Sequence, residues 1–241
     1  MRQIIAMGGG GFSMEPDNPL LDQYVLDQVD RPKPNVCFIP TASGDADNYI
    51  ERFYQAFRKL DCTPSHLSLF QPQFKDLESY VLAQDIIYVG GGNTRNMLLL
   101  WKDWELDRVL RLAYQEGVLL TGLSAGSICW FEEGLTDPLN APLYKLHALG
   151  ILRGSHCPHY DGEETRRPAY QQLIAQGTMQ AGYGVDDGAA LHFINEDFHH
   201  AISSREHAAA YFVEQSDQGV KEARLATTYL GANPSGIPQK S

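Results

Sequence analysis

A serine between glycines is the residue of this chain best placed to do chemistry. Residues 122–126 read Gly-Leu-Ser-Ala-Gly, so Ser124 stands at the centre of a Gly-x-Ser-x-Gly pattern. The apolar run before it, residues 118–121, predicts a buried strand, and the run after it, residues 128–131, predicts a helix. A serine on a sharp turn between strand and helix is lifted out of the sheet, where it can act as a nucleophile. A tight turn with an incidental serine is the alternative.

A serine nucleophile needs a base to take its proton and an acid to orient that base. Among the eight histidines, His159 is the preferred base because it follows a proline in a polar loop behind a predicted strand. His156 is the nearest rival. The acid is Asp186 or Asp187, which stand at the turn after another predicted strand. Asp-Asp-Gly is also a common sequence in ordinary turns.

Two other arrangements of these residues remain open. The α/β-hydrolases carry the triad in the order serine, acid, histidine, and Asp187 followed by His199, His200 or His207 would satisfy that order. The run His156-Cys157-Pro158-His159 could instead bind a metal. Its ligands are crowded, however, and no partner pair lies at a usual spacing elsewhere.

Two glycine-rich stretches follow predicted strands. Residues 90–93, Gly-Gly-Gly-Asn, lack the Lys-Ser/Thr of a P-loop and the Gly-x-Gly-x-x-Gly spacing of a dinucleotide site. Near a nucleophilic serine, backbone N–H groups of such a loop can bind an oxyanion instead. Residues 8–11 are four glycines after the first strand, and a tight turn at the strand exit is the preferred interpretation.

Composition narrows the class of protein. The chain has 241 residues, 43% hydrophobic and 20% charged, which predicts one large globular domain over residues 1–241 with a flexible tail from residue 226. The formal net charge of −11 argues against a nucleic-acid or anionic-membrane partner. Scattered cysteines indicate reduced thiols, and no signal peptide or membrane-spanning run is evident. We therefore expect a cytoplasmic protein.

The predicted strands alternate with helices at short loop lengths, which is typical of a mostly parallel sheet covered on both faces. Ligands bind at the carboxyl ends of such strands, where the 90–93 loop and Ser124 both lie. Thr94 is predicted to cap a helix, and residues 134–146 to form a loop. The predicted strands are residues 2–7, 35–39, 66–70, 85–89, 118–121, 149–155, 181–185, 189–194, 199–203 and 211–214.

Four motifs together resemble the peptidase E family, the aspartyl dipeptidases among serine peptidases. The resemblance covers about the first 200 residues and keeps the order of the motifs. It implies an α/β fold like that of class I glutamine amidotransferases, a flavodoxin-like three-layer sandwich with a mostly parallel central sheet. The motifs are residues 90–94 (Gly-Gly-Gly-Asn-Thr), 122–127 (Gly-Leu-Ser-Ala-Gly-Ser), 158–160 (Pro-His-Tyr) and 164–166 (Glu-Thr-Arg).

The resemblance implies a triad in which Ser124 is the nucleophile, His159 the base and Asp187 the acid. Here the acid is Asp, whereas the best-known members have Glu. The resemblance also implies an oxyanion hole of backbone N–H groups. Its members are Gly91 or Gly92, and Ala125.

The resemblance further implies two contacts with the substrate. Arg166 would hold the side-chain carboxylate of an aspartyl residue, which a guanidinium can grip with two hydrogen bonds. Asp137 would face the free α-amino group. Arg167 adjoins Arg166, so which arginine faces the pocket stays open, and residues 131–146 match the family less closely than the motifs do.

The predicted function is hydrolysis of short peptides near a free N-terminus, Asp-X dipeptides among them, through an acyl-enzyme. This chemistry needs no metal or organic cofactor, and a monomer or homodimer could perform it. One alternative is an amidohydrolase acting on another acidic peptide, such as a cyanophycin-like polymer. Another is a catalytically silent, amidotransferase-like binding domain.

Overall fold

The structure, a computed structural model, describes residues 1–137, 143–217 and 219–232. Its strands within these ranges are β1 (Gln3–Met7), β2 (Asn35–Ile39), β3 (Thr63–His66), β4 (Ile86–Val89), β5 (Leu119–Leu123), β6 (Phe131–Thr136), β7 (Tyr144–His147), β8 (Leu152–Cys157), β9 (Gly182–Val185), β10 (Ala189–Ile194), β11 (Asp197–Ser203), β12 (Ala210–Ser216), β13 (Gly219–Arg224) and β14 (Thr227–Tyr229). Its α-helices are α1 (Gly11–Met14), α2 (Leu20–Asp27), α3 (Asp47–Phe57), α4 (Leu77–Leu82), α5 (Thr94–Asp103), α6 (Leu106–Gln115), α7 (Ala125–Ile128) and α8 (Arg166–Ala175).

Eight of the described strands form the main sheet, in the spatial order β14-β11-β10-β1-β5-β4-β2-β3. Neighbouring strands run parallel except at two pairings, β1 with β10 and β10 with β11. Within β1, Ile5 pairs with His192 on one side and Thr121 on the other. A strand covered on both faces is apolar along most of its length, which explains the apolar run of residues 4–7 in β1.

Helices cover both faces of the main sheet. Because side chains alternate along a strand, Ile4 lies in one core, with Trp101 of α5 and residues of α4 and α6. Ile5 lies in the opposite core, with Phe53 of α3 and residues of α1 and α2. The predicted three-layer α/β arrangement around a mostly parallel sheet is confirmed.

The described residues contain a second sheet that the sequence did not predict. Six strands form it, in the order β13-β12-β9-β8-β6-β7, and α8 packs against it through Tyr170 and Ile174. Strands β8 and β9 pair in parallel, so their carboxyl ends emerge side by side. Those ends lead directly to His159 and Asp187.

The prediction of a loop over residues 134–146 was wrong at both ends, because residues 134–136 and 144–146 lie in strands. Strands β6 and β7 pair antiparallel there, with Gly134 opposite Leu146, and residues 138–142 between them lie outside the described ranges. A glutamate interrupts the apolar pattern of β6 although it faces the interior. Glu133 is only 5% exposed. Its carboxylate accepts from Lys145 Nζ at 3.2 Å and from the Gln180 N–H at 3.0 Å.

The predicted strand over residues 66–70 was also wrong, since β3 ends where that strand was expected to begin. The segment after β3 is held by one carboxylate instead. Asp45 Oδ2 accepts from Ser68 Oγ at 2.7 Å, and also from the Leu69 N–H at 2.9 Å and the Phe70 N–H at 3.1 Å. A distant aspartate thus satisfies backbone groups that a sheet ladder would otherwise take up.

Two local predictions near the glycine loop and the serine need correction. The helix after Ser124 is the single turn α7, and Phe131 already begins β6 rather than ending a helix. Asn93, not Thr94, caps α5, because Asn93 Oδ1 accepts from the Asn96 N–H at 2.9 Å. The Thr94 hydroxyl lies 3.3 Å from that of Thr136 on β6.

The prediction of a flexible tail from residue 226 does not hold for the first residues of that range. Residues 227–229 form β14, which pairs parallel with β11, and residues 233–241 lie outside the described ranges. Across the described residues, the helices are all too short or too polar to cross a bilayer.

Candidate active site

Successive carbonyl groups at the end of β1 bind the segments that carry the predicted triad. The Ser124 N–H donates to the Met7 carbonyl at 3.3 Å, and the His159 N–H donates to the Gly8 carbonyl at 3.3 Å. The backbones of the serine and the histidine therefore lie side by side, although β6, β7 and β8 separate them in sequence.

The third carbonyl of this series belongs to Gly9. It accepts at 3.0 Å from the N–H of Gly188, the residue that follows Asp187. Gly8 and Gly9 are both required here because other segments of the same chain pass close to them. A Cβ on Gly9 would lie 2.1 Å from Asp187 Oδ1, and one on Gly8 would lie 2.3 Å from the Val185 carbonyl oxygen. The glycines that the sequence indicated as a simple turn thus form the floor of the site.

Ser124 occupies a strained turn between β5 and α7. Its backbone has φ 55° and ψ −117°, a conformation that L-residues rarely adopt. The flanking glycines make the turn possible. A Cβ on Gly122 would lie 2.4 Å from the Gly126 carbonyl oxygen, and one on Gly126 would lie 2.2 Å from that of Val89. The predicted strand–turn–helix setting of the serine is therefore present.

His159 and Asp187 are joined by a short hydrogen bond, 2.6 Å between Nδ1 and Oδ1. Both side chains are largely buried, with 15% and 12% of their surface exposed. Burial tends to raise the pKa of the Asp187 carboxyl, but the hydrogen bond and charge of His159 outweigh it and hold that pKa below the ordinary value. Asp187 is thus an anion, and its own N–H donates to Asp161 Oδ1 at 2.8 Å. Asp161 is a supporting residue that sequence reasoning missed.

Asp186, the other candidate acid, makes a different contact. Its Oδ2 accepts from the Ala209 N–H at 3.0 Å, and its side chain is buried. Burial raises the pKa of Asp186 to about 6. Adjacent residues on an extended chain face opposite ways, so only Asp187 reaches His159.

The predicted oxyanion donors are not equivalent. The Gly91 N–H already donates to the Tyr49 hydroxyl at 3.2 Å, a contact that sequence reasoning missed. No hydrogen bond to the N–H of Gly92 or Ala125 is found among the residues that the structure describes. Gly91 nevertheless adjoins the serine, since a Cβ on it would lie 3.3 Å from Ser124 Cβ.

The two adjacent arginines point to different surroundings. Arg166 is buried, and its guanidinium donates from Nε to Glu163 Oε2 at 2.6 Å and from Nη1 to the Leu135 carbonyl at 3.1 Å. Its charge also contributes to the lowered pKa of Asp187. Arg167 instead bonds Glu222 and lies over the ring of Tyr211 at 4.7 Å. Of the two, Arg166 is the arginine on the side of the triad.

Asp137 follows β6 directly and is partly buried. The hydrogen bond between Thr136 and Thr94 brings this end of β6 against the start of α5, next to the glycine loop. Asp137 therefore stands at the rim of the same region as Gly91 and Gly92. The chain beyond it, residues 138–142, lies outside the described ranges.

The other candidate histidines make other contacts. His156, the rival base, is fully buried and lies 2.9 Å from Ser127 Oγ, while the Cys157 thiol is buried separately. His200, one of the bases that the alternative order allows, bonds the Tyr24 hydroxyl, which also bonds His192. Within the described ranges, no three His, Cys, Asp or Glu side chains converge in a metal-binding arrangement.

Comparison with known proteins shows the family of the chain. The model of peptidase family S51 matches residues 4–201, and the chain belongs to this family. It is therefore a peptidase by family, and the resemblance to peptidase E drawn from its motifs is confirmed.

Individual relatives point the same way. The chain is 60% identical over 231 residues to the uncharacterized peptidase YgaJ of Bacillus subtilis (strain 168), covering 96% of this chain and 100% of that protein. It is 29% identical over 170 residues to peptidase E of Shewanella amazonensis (strain ATCC BAA-1098 / SB2B), covering 66% and 70%. The crystal structure of a peptidase from an acI-B1 actinobacterium superposes with a TM-score of 0.64 at 18% identity over 94% and 95% of the chains, which shows a shared fold.

Proposed function

We propose that this chain is a serine peptidase that hydrolyses short peptides next to a free N-terminus, with Asp-X dipeptides as the first substrates to test. The 2.6 Å hydrogen bond between His159 and Asp187, beside the strained turn at Ser124, is the observation that carries the proposal. A histidine bound to an acid through Nδ1 has Nε2 available for a serine hydroxyl.

In the proposed mechanism, His159 Nε2 takes the proton of Ser124 Oγ as that oxygen attacks the peptide carbonyl. The ionised Asp187 stabilises the imidazolium that forms. The N–H groups of Ala125 and Gly92 bind the oxyanion, and each such donor typically contributes roughly 10²–10³-fold to the rate. His159 then gives the proton to the leaving amine. Water, activated by the same imidazole, releases the acyl group.

Charges around the serine support the proposed specificity. Arg166 uses Nε and Nη1 in protein contacts, so Nη2 is the group proposed to bind the carboxylate of an aspartyl side chain. Asp137, at the end of β6, is the proposed partner of the α-ammonium group. A positive and a negative group next to the same end of β6 match the two charges of an N-terminal aspartyl residue.

The test compares Asp-Leu with Asn-Leu, Glu-Leu and N-acetyl-Asp-Leu in a hydrolysis assay. Asp-Leu should be the best substrate, because Asn-Leu lacks the carboxylate and the acetylated peptide lacks the ammonium group. Ser124→Ala, checked for folding by circular dichroism, should lower kcat by roughly 10³-fold or more. A fluorophosphonate should label the wild-type protein and spare Ser124→Ala.

Each contrary result favours one of the alternatives. Retained turnover in Ser124→Ala would remove the mechanism. A chain that neither cleaves the dipeptides nor reacts with the fluorophosphonate would be the silent binding domain. Labelling of Ser124 together with cleavage of a cyanophycin-like polymer, and no cleavage of dipeptides, would indicate the amidohydrolase.

A further inference from the structure

A buried hydrogen-bonded chain connects β8, the strand that leads to His159, with the turn that carries Ser124. His156 Nε2 on β8 lies 2.9 Å from Ser127 Oγ, and Ser127 Oγ donates to the Ser124 carbonyl at 2.8 Å. The imidazole is fully buried and stacks on Phe131, with 4.8 Å between ring centroids and 10° between planes. The mechanism proposed above leaves both His156 and Ser127 without a role.

The position of the Ser124 carbonyl fixes the direction of an oxyanion donor. This carbonyl and the Ala125 N–H belong to one peptide unit, which is planar and trans, so the two groups point in opposite directions. Three donors hold the carbonyl: Ser127 Oγ at 2.8 Å, and the N–H groups of Ser127 at 2.9 Å and Ile128 at 3.0 Å. Fixing the carbonyl toward α7 therefore aims the Ala125 N–H away from the helix.

The protonation of His156 is set by its surroundings. Because the Ser127 hydroxyl donates to the Ser124 carbonyl, its oxygen is left to accept, so His156 Nε2 carries the proton. Nδ1 makes no hydrogen bond of regular geometry among the described residues. The backbone of Tyr183, which pairs with His156 across β8 and β9, also interacts with the ring and opposes the effect of burial on its pKa. Burial lowers the pKa of His156 to about 3, so the ring stays neutral at any pH at which a serine peptidase works.

We propose that His156 is a positioning residue that acts through Ser127 to hold the Ser124–Ala125 peptide with its N–H aimed at the oxyanion. The inference rests on the proposed function, since it needs a reactive Ser124. It also explains why a histidine next to the catalytic loop is buried and bonded to a serine of α7 rather than exposed to substrate.

The test measures the reaction of Ser124 with a fluorophosphonate, which needs no knowledge of the natural substrate. Ser124 Oγ forms a bond to phosphorus, fluoride leaves, His159 takes the proton, and the phosphonyl oxygen occupies the oxyanion site. Ser127→Ala and His156→Asn should each lower the maximal labelling rate by roughly tenfold or more, since small displacements of a catalytic group cost that much or more. The concentration for half-maximal rate should change little, because it reflects binding before the reaction.

Conservative variants separate positioning from general packing. The side-chain amide of glutamine can occupy the place of Nε2, so His156→Gln should retain most of the rate, whereas asparagine reaches only the place of Nδ1. Ser127→Thr keeps the hydroxyl and should do the same. Ser155→Ala is the matched control, because Ser155 is a buried serine on β8 that bonds Tyr170 at 2.7 Å and the Gln180 carbonyl at 2.6 Å. It should label at the wild-type rate.

This inference alone would be overturned if the wild type is labelled and Ser127→Ala and His156→Asn are labelled at the same rate as the wild type. A loss of labelling rate in Ser155→Ala equal to that in the two variants would also overturn it. An unreactive wild-type Ser124 would overturn the proposed function and this inference with it. If His156→Asn does not fold, the Ser127→Ala and Ser127→Thr pair decides, with circular dichroism and thermal unfolding as the check on structure. Loss in the first and retention in the second would support the inference.

Discussion

His159 Nδ1 lies 2.6 Å from Asp187 Oδ1, within a pair of side chains that are both largely buried. The two residues come from the ends of neighbouring parallel strands, β8 and β9, of the second sheet. A hydrogen bond from a buried histidine to an ionised carboxylate holds the ring in one orientation. It favours Asp187 over Asp186 as the proposed acid, because Asp186 bonds the Ala209 N–H instead.

Asp187→Asn should therefore lower kcat by roughly 10²–10⁴-fold, the usual contribution of general acid–base catalysis, because a neutral amide cannot stabilise the imidazolium. The measurement is steady-state hydrolysis of Asp-Leu by the purified variant. Asp186→Asn is the matched control and should retain activity, since an amide oxygen can still accept from Ala209. Equal losses in both variants would contradict the assignment of the acid.

Arg166→Gln and Arg167→Gln should affect different properties. Arg166→Gln removes the guanidinium beside the triad, so KM for Asp-Leu should rise strongly while Asn-Leu, which carries no side-chain charge, is affected less. Arg167→Gln breaks the contact with Glu222 and Tyr211 and should lower the melting temperature without changing that preference. Kinetics on both dipeptides and thermal unfolding of both variants make the comparison; reversed effects would assign the pocket to Arg167.

Gly91→Ala should slow the enzyme without unfolding it. The added methyl group would lie 3.1 Å from Leu123 Cδ1 and 3.3 Å from Ser124 Cβ, close enough to displace the nucleophile slightly. We expect the labelling rate of Ser124 to fall by roughly tenfold or more. Gly90→Ala is the comparison, because its methyl group would meet Phe38 at 2.9 Å and Tyr49 at 3.0 Å in the core. It should lower the melting temperature more than Gly91→Ala does.

Asp22→Asn should stabilise the protein above about pH 7. Burial raises the pKa of Asp22 from 3.8 to about 7 in the folded chain, where its Oδ1 accepts from the Tyr88 hydroxyl at 3.0 Å. Between these pH values the folded chain binds more protons than the unfolded chain, so the free energy of unfolding falls as the pH rises, by an amount on the order of a few kcal/mol. Asparagine keeps the acceptor and does not ionise.

The measurement is denaturant unfolding of the wild type and the variant between pH 4 and pH 8. The stability gained by Asp22→Asn should grow with pH up to about 7 and then level off. Asp27→Asn on the same helix replaces an exposed carboxylate that accepts from Gln23 and should show no such growth. A gain that is the same at pH 4 and pH 8 would mean that Asp22 does not hold its proton.

The inner strands of the main sheet were predictable from sequence because they are buried on both faces, whereas the edge strands β3 and β14 were not predicted within their bounds. Residues 35–39, for example, form β2 as predicted, since Val36 to Ile39 are all buried and apolar. Patterns failed where a polar side chain far away in sequence replaces a regular partner. Glu133 is buried in β6 because Lys145 and the Gln180 N–H bond it, and Asp45 satisfies the backbone at Leu69.

Much of the candidate site was predictable for a different reason. Ser124 and the glycine loop are recognisable in the sequence because their backbone conformations require glycines at fixed positions. The Pro-His and Asp-Asp-Gly sequences stand at strand ends. The contacts between those elements could not be predicted from the sequence. Nothing in the sequence indicates that the Tyr49 hydroxyl takes up the Gly91 N–H, or that Asp161 accepts from Asp187.

The carbonyl groups that end β1 have a consequence for when activity first appears. This strand is synthesised ahead of the segments that it binds, which carry Ser124, His159 and Asp187. Domains fold as units, and a strand with such distant partners stays unpaired until they arrive. The proposed site therefore cannot assemble on a growing chain until the segment around Gly188 has left the exit tunnel, and we expect shorter nascent chains to show no dipeptidase activity.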